Sequence, residues 1–189
     1  MSPSTQRRVT FAGGAAGTWR VTELRPVVGE ALANVAHVAL LERGTDEPFA
    51  ASEGSVWQLR AVTSYERYVN AEEHGALVAR QESLSRPAAT HAALIPITKS
   101  AAWWALPQDE RRAIFEERSR HIATGLHYLP AVARRLHHGH DLGEPFDFLT
   151  WFEYAPADAA AFEELVGLLR ATEEWRYVVR EVDIRLARA

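Results

Sequence analysis

Three residues in this chain invite a chemical reading. Lys99 is the only lysine among 21 Lys and Arg side chains, and it sits in the stretch IPITKSAAWWAL, just before the paired indoles of Trp103 and Trp104. Lysine and arginine are not interchangeable, so one lysine kept among twenty arginines asks for a reason. His121 follows Ile114 by seven residues, so on a continuous helix it lies about 20° from it, at the edge of a stripe made by Ile114, Phe115, Ile122 and Leu126. A histidine there is either a hydrogen-bonded core residue or a ligand to a metal or heme iron. Arg118 falls in the same stripe for no evident reason. Arg134 lies in AVARRLHHGH, Ala131 to His140. As a strand, this segment puts Val132, Arg134 and Leu136 on one face. An inward guanidinium needs a partner, either an internal carboxylate or a bound anion.

The segment that follows, FDFLTWFEY, places Phe146, Phe148, Thr150, Phe152 and Tyr154 on one face of a strand. That wall is nearly dry and carries one aliphatic hydroxyl. It would suit a flat apolar cofactor or an ordinary core. His137, His138 and His140 resemble a metal cluster, but adjacent strand residues face opposite ways. A solvated loop after the strand is the expectation, with Gly139-His140-Asp141 as a turn.

The elements that must position these residues alternate in type. After a polar tail, strands are predicted at Thr18–Leu24, Val35–Leu41 and Gly54–Ser64, the last with period-two alternation. Asn70 and Glu73 approximate a capping box for a helix over about 71–84. His91–Thr98 is an apolar strand in which Pro96 suggests an edge or an end. Pro107 opens a linking helix, Gln108 to Ala123. Phe146–Tyr154 is a strand. Ala157–Ala171 is a helix with Phe162, Leu165, Val166 and Leu169 at i, i+3, i+4 and i+7, and Val178–Leu186 is a strand. Strand–helix–strand thus recurs at an interval of roughly 90 residues, which predicts two related halves, 1–100 and 101–189. Each is expected to be a ferredoxin-like βαβ unit, the two forming one compact α+β structure. Gly13, Gly14 and Gly17 precede a strand rather than a helix, so the dinucleotide-loop context fails.

Composition narrows the functional classes. The net charge is -4, so no basic stripe invites a nucleic acid backbone. The N-terminus lacks an apolar export segment and no apolar run reaches membrane length, which predicts a cytoplasmic protein without a membrane partner. There is no cysteine and the only methionine is Met1. Those sulfur side chains are the ones oxidants modify first, so their absence suits a protein that lives with a strong oxidant. A biased genome composition explains the same counts.

The ordered set Lys99, Trp103-Trp104, His121, Arg134-x-Leu136, Thr150-x-Phe152 and Thr-Glu-Glu-Trp at Thr172–Trp175 resembles the chlorite dismutase family. The resemblance runs from about Val56 to the C-terminus, and the short chain resembles the family's dimeric branch. It implies a dimeric α+β barrel fold, a homodimer, and one heme b per subunit. It also implies conversion of chlorite to chloride and dioxygen through ferryl and hypochlorite species. It makes His121 the proximal iron ligand, Glu174 the acceptor of its second ring proton, and Lys99 a member of that network beside Trp103. It places Arg134 in the distal pocket with Leu136, Thr150 and Phe152, holding chlorite or another small anion. Gln81 resembles the glutamine that restrains the distal arginine, and Tyr65 and Arg67 lie where relatives reach the heme propionates. Rival readings are a coproheme decarboxylase, a dye-decolourising peroxidase, or a non-catalytic ferredoxin-like binding protein.

Overall fold

The computed structural model describes residues 7–63, 75 and 84–189. Tyr65, Arg67, Gln81 and nearly all of the helix expected over 71–84 fall outside them. Eight strands form a closed antiparallel barrel: β1 Arg7–Gly14, β2 Trp19–Val28, β3 His37–Gly44, β4 Trp57–Thr63, β5 His91–Lys99, β6 Val132–His138, β7 Phe148–Tyr154 and β8 Val178–Arg188. Around the barrel they run β1-β3-β2-β8-β5-β7-β6-β4. The helices are α1 Ala101–Ala105, α2 Gln108–Arg112, α3 His121–His127 and α4 Ala159–Arg170. Among the described residues no helix is long and apolar enough to cross a membrane.

Alternation along the strands builds two apolar layers. Leu94, Leu149, Trp151, Val182 and Ile184 point into the barrel, where they meet Phe11, Trp19 and Leu59. Their neighbours Ile95, Ile97, Phe148 and Phe152 point outward and pack with Phe162, Leu165 and Leu169 of α4. Two covered faces explain why β5 is apolar at nearly every position.

Five expectations change. The N-terminal segment is not a polar tail throughout: β1 pairs with both β3 and β4. Its small residues Ala12, Gly13 and Gly14 hide the strand signal. Pro96 is not at an edge, because β5 lies between β7 and β8; pairing with β8 skips Ile95 and Pro96 while pairing with β7 continues. Phe146 lies outside the wall of Phe148, Phe152 and Tyr154 and belongs to the barrel interior. His137 and His138 are buried strand residues rather than loop residues, since β6 extends to His138.

The fifth change concerns the linking helix. It is broken: α2 runs into a π-helical turn at Ala113–Arg118, and Arg120 is left-handed at φ 51°. That conformation costs a non-glycine residue about 1–2 kcal/mol. Compensation comes from Glu116, whose carboxylate accepts the backbone N–H groups of Ile122 at 2.6 Å and Ala123 at 3.2 Å. These are orphan donors of the first turn of α3. His121 therefore starts a new helix, and its position does not follow from counting turns from Ile114. Arg118 points out of the helix pair and bonds Glu173 at 3.0 Å.

Candidate functional site

Lys99, His121 and Glu174 converge although they come from three separate elements. Lys99 ends β5, His121 begins α3, and Glu174 opens the 3-10 turn Glu174–Tyr177 that leads into β8. Glu174 is 3% exposed. Its Oε1 lies 2.7 Å from Lys99 Nζ, and its Oε2 lies 2.8 Å from His121 Nδ1. Lys99 Nζ also donates to the Glu174 carbonyl at 3.3 Å. Ser119 Oγ accepts the Glu174 N–H at 3.0 Å, which ties the broken helix to this turn. The break is thus useful: it brings Ser119 to the backbone and His121 to the carboxylate of the same residue, Glu174.

Electrostatics decide the ionic state of the trio. Burial pushes the Glu174 carboxyl up, but His121 and Lys99 act against it by charge and by hydrogen bond and hold it at about 2. Burial pulls the Lys99 ammonium below its ordinary value, while Glu174 first, then Asp147 and Glu181, draw it back. Glu174 is therefore a carboxylate, matched to an ammonium on one oxygen. Lys99 Nζ also lies over the Trp103 ring at 4.7 Å, which supports a desolvated cation. Phe115 stacks on the His121 ring with 4.3 Å between centroids.

The paired tryptophans part company. Trp103 is fully buried beneath Lys99. Trp104 donates its Nε1–H to Asp147 Oδ2 at 3.2 Å and stacks on His140 at 3.6 Å. Asp147 also accepts the Lys99 backbone N–H at 2.7 Å and pairs with His140 Nδ1 at 2.6 Å. It fastens the end of β5 at the point where Lys99 leaves it.

Arg134 and its expected neighbours form the opposite wall. Arg134 pairs across the sheet with Phe152, and Leu136 pairs with Thr150. Ile95 pairs with Thr150 from the other side. These side chains make a surface of one guanidinium and one hydroxyl among apolar groups. The guanidinium reaches α3: a methyl group built on Gly125 would stand 2.3 Å from Arg134 Nη1. Gly125 is four residues after His121, on the same helical face. The Arg134 guanidinium therefore lies against α3 about one turn from His121.

Reasoning on sequence missed Glu116, Ser119, Asp147, Trp175 and Glu181 as supports of this site. Only Glu181 leaves a local trace, as one of three charged residues, Glu181, Asp183 and Arg185, on alternate positions of an apolar strand.

The donor set suits a heme. His121 has its Nδ1 engaged by a carboxylate, which leaves Nε2 as the coordinating nitrogen and raises the basicity of the ring. The facing wall is apolar enough for a macrocycle, and its guanidinium suits an anionic ligand.

The family model for chlorite dismutase matches residues 38–189. The chlorite dismutase of Ideonella dechloratans is 36% identical over 87 residues, a match that spans 46% of this chain and 28% of that protein. A dimeric chlorite dismutase from Nitrobacter winogradskyi is 58% identical, with a TM-score of 0.87 over 96% of this chain and 99% of that one. The chlorite dismutase of Candidatus Nitrospira defluvii in complex with imidazole shares the fold at 23% identity. Its TM-score is 0.67 over 98% of this chain and 92% of that one.

Proposed function

This chain belongs to the chlorite dismutase family, and from that premise we propose that it is a heme b enzyme converting chlorite to chloride and dioxygen. The observation that carries the reading is the buried bond chain from Lys99 through Glu174 to Nδ1 of His121. A histidine backed by a carboxylate is a recurrent arrangement for a metal-bound imidazole. The similarity to the dimeric Nitrobacter winogradskyi protein supports a homodimer. The cytoplasm remains the expected location. The barrel is read as two ferredoxin-like halves, 1–100 and 101–189, on the strength of the repeated strand–helix–strand pattern.

When bound, the heme supplies oxygen-atom transfer from chlorite. The chain's own residues do the rest. His121 would hold the iron through Nε2. Glu174 accepts its Nδ1–H and so increases the electron donation of the ring. Lys99 keeps Glu174 ionised by pairing with the other oxygen. On the facing wall Arg134 attracts the chlorite anion, since its charge is permanent and its donors are forked. The same forked donors would hold an oxychlorine anion in the site. Leu136, Thr150 and Phe152 exclude competing water, which strengthens the pull of the guanidinium. Gln81 is assigned to restrain Arg134, and Tyr65 and Arg67 to the propionates; all three lie outside the described residues. The lack of cysteine, and of any methionine beyond Met1, suits a site that handles hypochlorite.

Heme loading followed by oxygen measurement tests this reading. The wild-type protein should take up one heme per chain, show a Soret band, and release dioxygen and chloride in equal amounts from chlorite. A loaded protein that releases no oxygen overturns the activity. A His121→Ala variant that loads heme with an unchanged spectrum overturns the ligand assignment.

A further inference from the structure

Behind Glu174 stand two residues that the chemistry above leaves idle. Trp175 follows Glu174 in the same 3-10 turn. Its Nε1–H donates to Glu181 Oε2 at 2.9 Å. Glu181 is fully buried in β8. Its other oxygen accepts both Nε, at 2.8 Å, and Nη2 of Arg170 on α4. The indole is thus fastened to a carboxylate that is itself clamped. Lys99 Nζ lies over that indole at 5.5 Å from the ring centroid, as it lies over Trp103 at 4.7 Å.

The ion network that includes Glu181 is otherwise complete without the indole. Arg170 pairs with both Glu181 and Asp183, and Arg185 pairs with Asp183 and Glu163. The Trp175 N–H adds no charge to that network. It links the network to the turn carrying Glu174, and by a hydrogen bond to a charged acceptor, about twice as strong as a neutral one. A ring that only filled space at position 175 would need no such donor. What the bond controls is where the ring face lies, and the ring face is where the Lys99 ammonium rests.

We propose that Trp175 and Glu181 are positioning residues for the proximal side of the heme. Glu181 orients the Trp175 indole; the indole and the turn it anchors set the separation of Lys99 from Glu174. That separation sets how much negative charge Glu174 presents to Nδ1 of His121. The inference rests on the reading of His121 as the iron ligand.

Four heme-loaded proteins test it: wild type, Trp175→Phe, Glu181→Gln, and Glu174→Ala as the reference for a lost acceptor. The readouts are the ferric/ferrous reduction potential and the iron–histidine stretching frequency of the ferrous protein, with heme stoichiometry as the control. Trp175→Phe keeps a smaller ring face for Lys99 and loses the N–H together with the pyrrole half of the indole. It should shift the potential and the stretching frequency by less than Glu174→Ala does, at one heme per chain. Glu181→Gln should shift both readouts the same way. Combining it with Trp175→Phe should add nothing to the potential, because both act through one bond. If Glu174→Ala moves both readouts and Trp175→Phe matches wild type, Trp175 and Glu181 are only structural, and the functional reading stands. If His121→Ala retains heme with an unchanged spectrum, the ligand assignment fails and takes this inference with it. Should Glu181→Gln not fold, the Trp175→Phe comparison still decides.

Discussion

Glu174 Oε2 and His121 Nδ1 stand 2.8 Å apart although 53 positions separate them in the chain. A carboxylate on that nitrogen favours the more anionic form of the imidazole, which stabilises ferric iron over ferrous. Glu174→Ala is expected to raise the reduction potential of the bound heme and to weaken its retention. A spectroelectrochemical titration, with competition for heme by apomyoglobin, checks both. An unchanged or lowered potential counts against the network.

Lys99 is expected to tolerate neither methionine nor arginine. Removing one partner of a buried ion pair leaves the other charge uncompensated, at a cost of about 3–5 kcal/mol. Lys99→Met should lower the urea midpoint of unfolding by that equivalent. Lys99→Arg should recover little, because a planar fork does not fit where a compact ammonium meets Glu174 Oε1 at 2.7 Å over the Trp103 ring. A midpoint within error of wild type for Lys99→Arg would show that charge alone is enough.

Arg134→Ala should release oxygen from chlorite on the order of 10²-fold more slowly, the scale for losing one donor in a dry site. It should also lose heme colour after fewer turnovers, and added methionine should protect it by trapping escaping hypochlorite. Total oxygen per heme, with and without methionine, measures this. Equal rate and endurance would reduce Arg134 to a structural residue.

Gly125→Ala separates position from stability. The added methyl meets only the tip of the Arg134 side chain, at 2.3 Å from Nη1, and a flexible side chain can retreat. In the helix itself alanine is favoured over glycine by up to about 1 kcal/mol. The variant should therefore melt at or above the wild-type temperature yet turn over chlorite more slowly, as a displaced guanidinium would. Loss of folding without the rate change would reverse the argument.

His137 carries an acid sensitivity unrelated to the site. Its ring is 1% exposed against Phe11 in the barrel interior. Burial, then the charges of Arg135 and His138, hold its pKa down at about 3 against 6.5 for the free group. The unfolded chain takes up this proton first as pH falls, so its contribution is fully present above about 6.5 and drains away toward 3. The total across that window is at most about 5 kcal/mol. The stability difference between pH 7 and pH 4.5 should be smaller in His137→Leu than in wild type, by chemical denaturation at both pH values.

How legible all this is in the sequence depends on the range of the interaction. Trp57–Thr63 and Val178–Arg188 announce themselves through alternation, and α4 through its stripe of Phe162, Leu165, Val166 and Leu169. Register follows: the expected shared face of Val132, Arg134 and Leu136 lies outside the barrel as a period of two requires. β1 is hidden because Ala12, Gly13 and Gly14 carry no apolar alternation. The break before His121 is hidden because it depends on Glu116 reaching forward to α3 and on Ser119 meeting Glu174, contacts with no local signature. The convergence of Lys99, His121 and Glu174 follows from family resemblance and not from spacing. Buried charge on β8 is visible as three alternate ionic residues, but its partners Arg170 and Glu163 lie on a helix whose facing cannot be set from pattern alone.

β8 lies between β2 and β5, and β5 in turn lies between β8 and β7. The seam that closes the barrel is therefore made by the strand that follows the other seven in the sequence. Until Val178–Arg188 emerges, β2 and β5 each present an unpaired strand edge, the kind of surface that recruits other chains into aggregates. Glu174 arrives just ahead of that strand, so its carboxylate meets His121 only after the other seven strands have emerged. The buried bond to His121 is thereby tied to closure of the barrel: a product clipped before Glu174 lacks the carboxylate and keeps both edges open.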